Sequence, residues 1–339
     1  MAAAAPADAV TGQALAWQDA LRRRGVGGEV FAEHVHPRLV GRVRPLSDFR
    51  PGEGPALLRM SLWSAAVERA VEVPRERLGI VYHNITPAHL LKRTNPGLAM
   101  LCERGRNALP DLARRVSVAI ADSGYNAREL EGAGFPDPVV VPLLLDVSAA
   151  PPARSGEPAP SVLTVGRVSP SKRIEDVVRA VAVLRRHLVP AARLDVIGSW
   201  EGEEGYRAAL GRFVSRLGLD DAVRFRGRVS DAARDRAYAE AGAYLCMSEH
   251  EGFCAPLVEA LGRGLPVVAR DAGAVAETLG GAGLVLHGRD AALAAEALAA
   301  VLTGPDLRAE LAARAARRLA ELAPERVEAA MAAALEPLL

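Results

Sequence analysis

Three short stretches of the chain combine residue types suited to anions and polar ligands. In GRVSPSKR, residues 166–173, Gly166 closes the apolar run VLTVG and a helix-like segment follows Arg173. A glycine turn that opens a helix lets the backbone approach an anion at the helix's positive end. There Arg167 can offer a two-pronged guanidinium and Lys172 a point charge. A diphosphate fits that chemistry; solvated surface charge is the other reading of the same two cations. In SEHEGFCAPLVEA, residues 248–260, a glycine-containing turn follows the apolar run AYLCMS. The N–H groups of Gly252, Phe253, Cys254 and Ala255 can come close to a phosphate or sugar. Glu251 and Glu259 are eight positions apart, one in the turn and one in the next helix, and suit a sugar hydroxyl and a ribose diol. A glutamate near a helix start is equally explained by the helix dipole. In YHNITP, residues 82–87, His83 ends the run GIVYH, where an imidazole can bond a phosphate or sugar oxygen and share a proton. A structural histidine is the plainer reading of that residue alone.

Such loops act only if strands present them, because open parallel sheets bind ligands outside the carboxyl ends of their strands. The proline-rich stretch VSAAPPARSGEPAP, residues 147–160, divides the chain. After it, VLTVG, LDVIG, VRFRG, AYLCMS, PVVAR and GLVL alternate with amphipathic stretches, which predicts six strands in a parallel, doubly wound sheet. Ile174, Val177, Val178, Val181 and Leu184 fall on one helical face, as do Tyr206, Leu210, Phe213, Val214 and Leu217, and both sets are expected to face the core. The first half is less regular. GEVFA, GIVYHN, VSVAIADS and VVVPL read as strands, but a helix-like segment from Thr11 to Arg24 precedes any of them. Residues 305–337 read as helices broken at Pro324.

The 339 residues suit about two domains. Lys and Arg number 42 against 41 Asp and Glu, which argues against a nucleic-acid binder. Cys102, Cys246 and Cys254 show no paired spacing, so neither a disulfide framework nor a zinc site is expected. No run of 18 apolar residues occurs, and a cytoplasmic protein is expected, with peripheral contact at the inner membrane face an option raised by the basic stretches Arg22–Arg24 and Arg104–Arg115. Asp-x-Asp, HExxH, G-x-G-x-x-G, GxxxxGK[ST] and G-x-S-x-G are all missing from the sequence. The usual grounds for a metal-dependent transferase, zinc peptidase, dehydrogenase, P-loop NTPase or serine hydrolase go with them.

Taken together, TVGRVSPSKRIEDVVRA, LDVIGS, VRFRGRVSD and SEHEGFCAPLVEALGRGLPVVARDAGAVAE resemble family 4 of the retaining glycosyltransferases. DAVTGQALAWQDALRRRG, YHNITPAHLL and ADSGYNARELEGAG in the first half are similar in places, so the chain resembles the YHNITP-containing type. The resemblance implies the GT-B fold: two Rossmann-like, doubly wound parallel-sheet domains facing each other across a cleft. It implies an acceptor-side domain over 1–147, a nucleotide-sugar domain over 160–323 and a helix over 324–339 crossing back to the first. It implies a metal-independent retaining transfer with no cofactor, from an NDP-sugar, UDP- or GDP-linked, to a saccharide, lipid-linked saccharide or small metabolite. Arg167 and Lys172 would grip the diphosphate, with Gly166 admitting the loop. Glu251 would bind the sugar, the amides of residues 252–255 the sugar and phosphate, and Glu259 the ribose. The base would lie near Arg228 and Val229, and His83 would reach toward the donor sugar. A silent nucleotide-sugar-binding protein, an epimerase and a phosphorylase are the alternatives on that scaffold. Family members open on a strand and a glycine-rich turn. Here PADAVTGQ stands in that place, with Ala7 at the expected glycine, so the first domain is expected to start one strand short, or the chain downstream of that strand, and to expose a sheet edge.

Overall fold

The computed structural model of the chain describes residues 1–6, 8–146 and 159–339. Ala7, the position of the expected glycine, and most of the proline-rich linker lie outside the described residues. The chain forms two compact units, one of residues 1–92, 97–146 and 322–339, the other of residues 93–96 and 147–321.

The first unit runs β1 (Ala3–Ala4), α1 (Ala9–Arg23), β2 (Phe31–Ala32), β3 (His34–Val35), β4 (Arg44–Pro45), β5 (Ala56–Met60), α2 (Ala65–Ala70), β6 (Leu78–Tyr82), α3 (Pro96–Ala113), β7 (Val118–Ala121), α4 (Gly124–Gly132) and β8 (Val139–Val140). Its main sheet is parallel, in the order β5-β6-β7-β8. The expectation that no strand precedes the first helix is corrected: β1 does, but it is two residues long and pairs with β3, not with β5. Asp8 caps α1, its carboxylate accepting from the Thr11 amide at 2.8 Å. Beside the edge of β5 that pairs with no other strand among the described residues lies a cavity of about 420 Å³ lined by Met1, Trp17, Phe31, Leu57 and Leu338 among others. The sequence reading overlooked β5 because ALLRM has no β-branched or aromatic residue; its strand geometry comes from five-residue pairing with β6, Ala56 opposite Leu78 through Met60 opposite Tyr82.

The second unit continues with β9 (Ser161–Val165), α5 (Ile174–His187), β10 (Arg193–Ile197), α6 (Glu204–Arg216), β11 (Val223–Gly227), α7 (Asp231–Glu240), β12 (Ala243–Cys246), α8 (Ala255–Gly262), β13 (Val267–Arg270), α9 (Val275–Leu279), β14 (Leu284–Leu286), α10 (Ala291–Thr303) and α11 (Pro305–Glu321). All six strands are parallel, in the order β11-β10-β9-β12-β13-β14. Every residue of the predicted α5 stripe is buried in the unit's core. At roughly 1.5–3 kcal/mol per buried aliphatic side chain, such a stripe outweighs any intrinsic preference of the segment. The α6 stripe holds only in part. Leu210 and Val214 are buried, Tyr206 and Phe213 are partly buried, and Leu217 lies past the helix end, 41% exposed. The helix stops there because Gly218, in the left-handed region at φ 66°, turns the chain away.

Helix α12 (Pro324–Leu335) belongs to the first unit. Its Val327, Met331, Ala334 and Leu335 share a buried cluster with Trp17, Val81, Ile120 and Val141. Among the described residues, no helix is long and apolar enough to cross a membrane.

Candidate ligand site at the switch point of the second sheet

The order of the second sheet reverses between β9 and β12, so the loops after these two strands flank the crevice where such sheets take ligands. Those loops are GRVSPSKR and SEHEGFCAP. The first is held by its backbone: Gly166 N–H donates to Ile197 O at 2.9 Å and Val168 N–H to Ser199 O at 2.9 Å. The tips of β9 and β10 come so close that a Cβ on Gly198 would lie 1.8 Å from Gly166 O. Here φ is 150° at Gly198 and 152° at Gly166, and only glycine meets both demands.

The second loop is tied to the first. Glu249 N–H donates to Ser171 O at 2.8 Å, and Lys172 Nζ donates to Glu251 Oε1 at 2.6 Å. Glu251 is 7% exposed. Burial by itself would push its carboxyl up, but the Lys172 ammonium, and hydrogen bonds with Lys172, Ser248 and Cys254, overcome burial and hold it below the ordinary value. Lys172 moves oppositely. Burial would pull the ammonium down, and the facing Glu251 carboxylate raises it well above the usual lysine value. The two side chains are therefore an ion pair across the physiological range. From below, Gly273, at φ 60°, leaves room for the turn: a Cβ there would sit 2.2 Å from Glu251 O, and Ala274 N–H donates to that oxygen at 2.9 Å.

Of the other residues read from the sequence in this unit, Arg167 is exposed, with its guanidinium donating to Glu201 O at 2.9 Å. Arg228 is exposed and Val229 half-buried, just past β11. Gly252 is half-buried, while Phe253, Cys254 and Ala255 are buried; Thr278 Oγ1 donates to Phe253 O at 2.6 Å. Cys254 takes φ 70° at the start of α8, an uncommon conformation for a residue with a side chain. Glu259, on α8, accepts from Tyr238 Oη at 2.8 Å. Burial, reinforced by the Glu259 charge, raises the Tyr238 hydroxyl well above the tyrosine range, so it stays a donor. The sequence missed Tyr238 because it sits on α7, distant in the chain and without a motif.

The cysteines, which showed no paired spacing in the sequence, are free. Cys246 ends β12 and Cys254 starts α8, and the turn between folds them together: their sulfurs and a Glu251 carboxylate oxygen all lie within 4.8 Å of one another.

In the first unit His83 directly follows β6 and is engaged on both ring nitrogens. Nδ1 lies 2.8 Å from Asp122 Oδ2 and Nε2 lies 3.4 Å from the Arg59 guanidinium. Both the His83 and the Asp122 side chain are 3% exposed. Gln13 closes the ring: its amide donates to Asp122 Oδ1 at 3.2 Å and its carbonyl accepts from Arg59 at 2.6 Å. Burial pulls the Arg59 guanidinium down to about 10, against the opposing charge of Asp122. Arg59 and Gln13 were not foreseen, Arg59 because β5 itself was overlooked.

Residues 151–318 match the family model described as Glycosyl transferases group 1. A D-inositol 3-phosphate glycosyltransferase of Streptomyces scabiei is 33% identical over 179 residues, covering 50% of this chain and 40% of that protein. The one from Kineococcus radiotolerans is 33% identical over 226 residues, 59% of this chain and 52% of that protein. The chain thus spans about half, or less, of the length of these curated relatives. Among solved structures, HepE of Anabaena, with UDP and glucose bound, superposes with a TM-score of 0.71 at 17% identity over 99% of this chain and 98% of that one. Sucrose-phosphate synthase of Thermosynechococcus elongatus gives 0.68 at 20% identity over 83% of this chain and 73% of that one. The fold is GT-B, built of two Rossmann-like units.

Proposed function

We propose that the chain moves a sugar from a nucleotide-diphosphate sugar to an acceptor hydroxyl, with retention and without a metal, a reading supported by the match of residues 151–318 to the group 1 glycosyltransferase model. The observation that carries this reading is the Lys172–Glu251 bond at 2.6 Å. It clamps the two switch-point loops together, so a cation and a carboxylate are fixed side by side before any ligand arrives. Relatives named for glycosyl transfer, and a structure of the same fold holding UDP and glucose, support it.

In this reading the work is electrostatic. As the sugar–phosphate bond stretches, negative charge grows on the leaving diphosphate while the sugar gains oxocarbenium character. Lys172 and Arg167 neutralise that charge from fixed positions, so little reorganisation is needed. Gly166 lets the loop come near the phosphates, and the amides of residues 252–255 meet phosphate and sugar. Glu251 takes sugar hydroxyls, and Glu259, steadied by Tyr238, takes the ribose diol. Arg228 and Val229 border the base of a UDP- or GDP-linked donor. The departing phosphate receives the acceptor proton, and the acceptor is a saccharide, lipid-linked saccharide or small metabolite. His83 acts through Nε2, whose 3.4 Å contact with Arg59 is the longest in its ring of partners.

The test is a panel of UDP-, GDP-, ADP- and TDP-sugars, screened first by thermal shift, because donor binding stabilises by mass action and needs no acceptor. A donor that raises Tm in wild type and much less in Glu251→Ala, followed by product with the donor's anomeric configuration, is expected. No donor binding and no hydrolysis across the panel defeats the proposal. Binding without turnover on any acceptor points to a silent binding protein.

A further inference from the structure

Two thiols and a carboxylate converge beside the ion pair. Cys246 (4% exposed), Cys254 (8%) and Glu251 (7%) put two sulfurs and an oxygen within 4.8 Å of one another. A tetrahedral zinc with two sulfurs at about 2.3 Å and an oxygen at about 2.0–2.2 Å needs ligand separations of roughly 3.3–3.8 Å. The present spread exceeds that by at most about 1–1.5 Å, within the reach of side-chain rotation. Ser248 Oγ, 3.3 Å from Cys246 Sγ, stands beside the cluster as a further oxygen. Charge closes as well, since two thiolates and a carboxylate carry three negative charges against a divalent cation and the Lys172 ammonium already bonded to Glu251.

We propose that Cys246, Cys254 and Glu251 form a binding site for a thiophilic divalent cation, zinc or cadmium, which takes up Glu251 and so closes the sugar subsite. Binding exchanges two thiol protons for the cation, with no change of oxidation state. The cation is an inhibitor here and has no part in transfer. The closing of the sugar subsite rests on the role given to Glu251 above; the site itself does not.

The experiment uses the purified full chain with cadmium alone. A thiolate-to-cadmium absorption band saturating at one ion per chain is expected. Cys246→Ser and Cys254→Ala should lose it and Cys102→Ala should retain it. Glu251→Gln should keep the band with affinity lowered at least about tenfold. Should the cysteine variants fail to fold, X-ray absorption on zinc-loaded wild type decides: two sulfur neighbours at about 2.3 Å support the site, and a shell of oxygen and nitrogen alone overturns it. A band that Cys102→Ala abolishes also overturns it. Zinc should lower the donor-induced rise in Tm, reversibly with EDTA. Zinc held by two sulfurs that leaves donor binding untouched overturns the inhibition, while the donor panel without zinc tests the transferase reading separately.

Discussion

Replacing Lys172 by methionine keeps most of the stem and removes the charge, leaving Glu251 as a carboxylate 7% exposed with its ion partner gone. Loss of one partner of a buried pair costs about 3–5 kcal/mol, most of it the desolvation of the charge left behind. For a domain of this size, each kcal/mol lowers Tm by roughly 2–4 °C, so the second unit's transition should fall by about 6–20 °C. Glu251→Gln should cost less. The Lys172 side chain is 27% exposed against 8% for Glu251, so the orphaned ammonium can turn to water where the carboxylate cannot. The pH dependence carries a sign. In wild type, Glu251 is held below its ordinary 4.5, so its contribution stands above that pH and is lost as pH falls through the depressed value. Lys172 is raised above its ordinary 10.5, so its contribution is full below that pH and is lost as pH rises through the raised value. In Lys172→Met burial is opposed only by the hydrogen bonds with Ser248 and Cys254, so the Glu251 carboxyl rises, and protonating it relieves the strain. The gap between wild type and variant should therefore narrow as pH is lowered from 7 to 5. Calorimetry and urea unfolding at pH 5, 6 and 7 measure this. A loss below about 1 kcal/mol, as for an exposed ion pair, or a gap that does not depend on pH, refutes the reasoning.

Gly198→Ala forces a Cβ to within 1.8 Å of Gly166 O at a φ closed to side chains, and should cost more than about 3 kcal/mol or abolish expression, while Gly205→Ala, with open space, should be silent in the same unfolding assay. Tyr238→Phe removes the bond to Glu259, which should destabilise by about 1–2 kcal/mol and raise the donor KM with kcat nearly unchanged; a fall in kcat alone would contradict a ribose role for Glu259. Asp122→Asn leaves the packing but unsettles the His83 tautomer, so kcat should fall at least about tenfold with donor-induced Tm shifts intact, and equal loss of donor binding would show the histidine to be structural.

The second unit was legible because its signals are local and repetitive. Most strands are short, mainly apolar runs, α5 carries a full helical stripe and α6 a partial one, and Gly166, Lys172 and Glu251 sit in the turns after the strands. The failures have physical causes. ALLRM carries no local preference for a strand and is made one by β6 alone. Leu217 fits the α6 period but lies one residue past the helix end, just before Gly218 turns the chain away. Arg59, Gln13 and Tyr238 act through contacts 46, 109 and 21 residues away in the chain, and no periodicity records such distances. The proximity of Cys246 and Cys254 was not legible either, because it is made by the turn between β12 and α8 and not by their spacing.

The placement of α12 also sets an order in time. The cluster around Trp17, Val81 and Ile120 is incomplete until Val327, Met331 and Leu335 join it. On the ribosome, at about 5–20 residues per second, roughly 10–40 s pass between synthesis of Val141 and of Leu338. The second unit has its whole sheet in hand before then. The half of the protein that is made first is thus the half that finishes folding last. Until then, that apolar cluster lacks its covering helix.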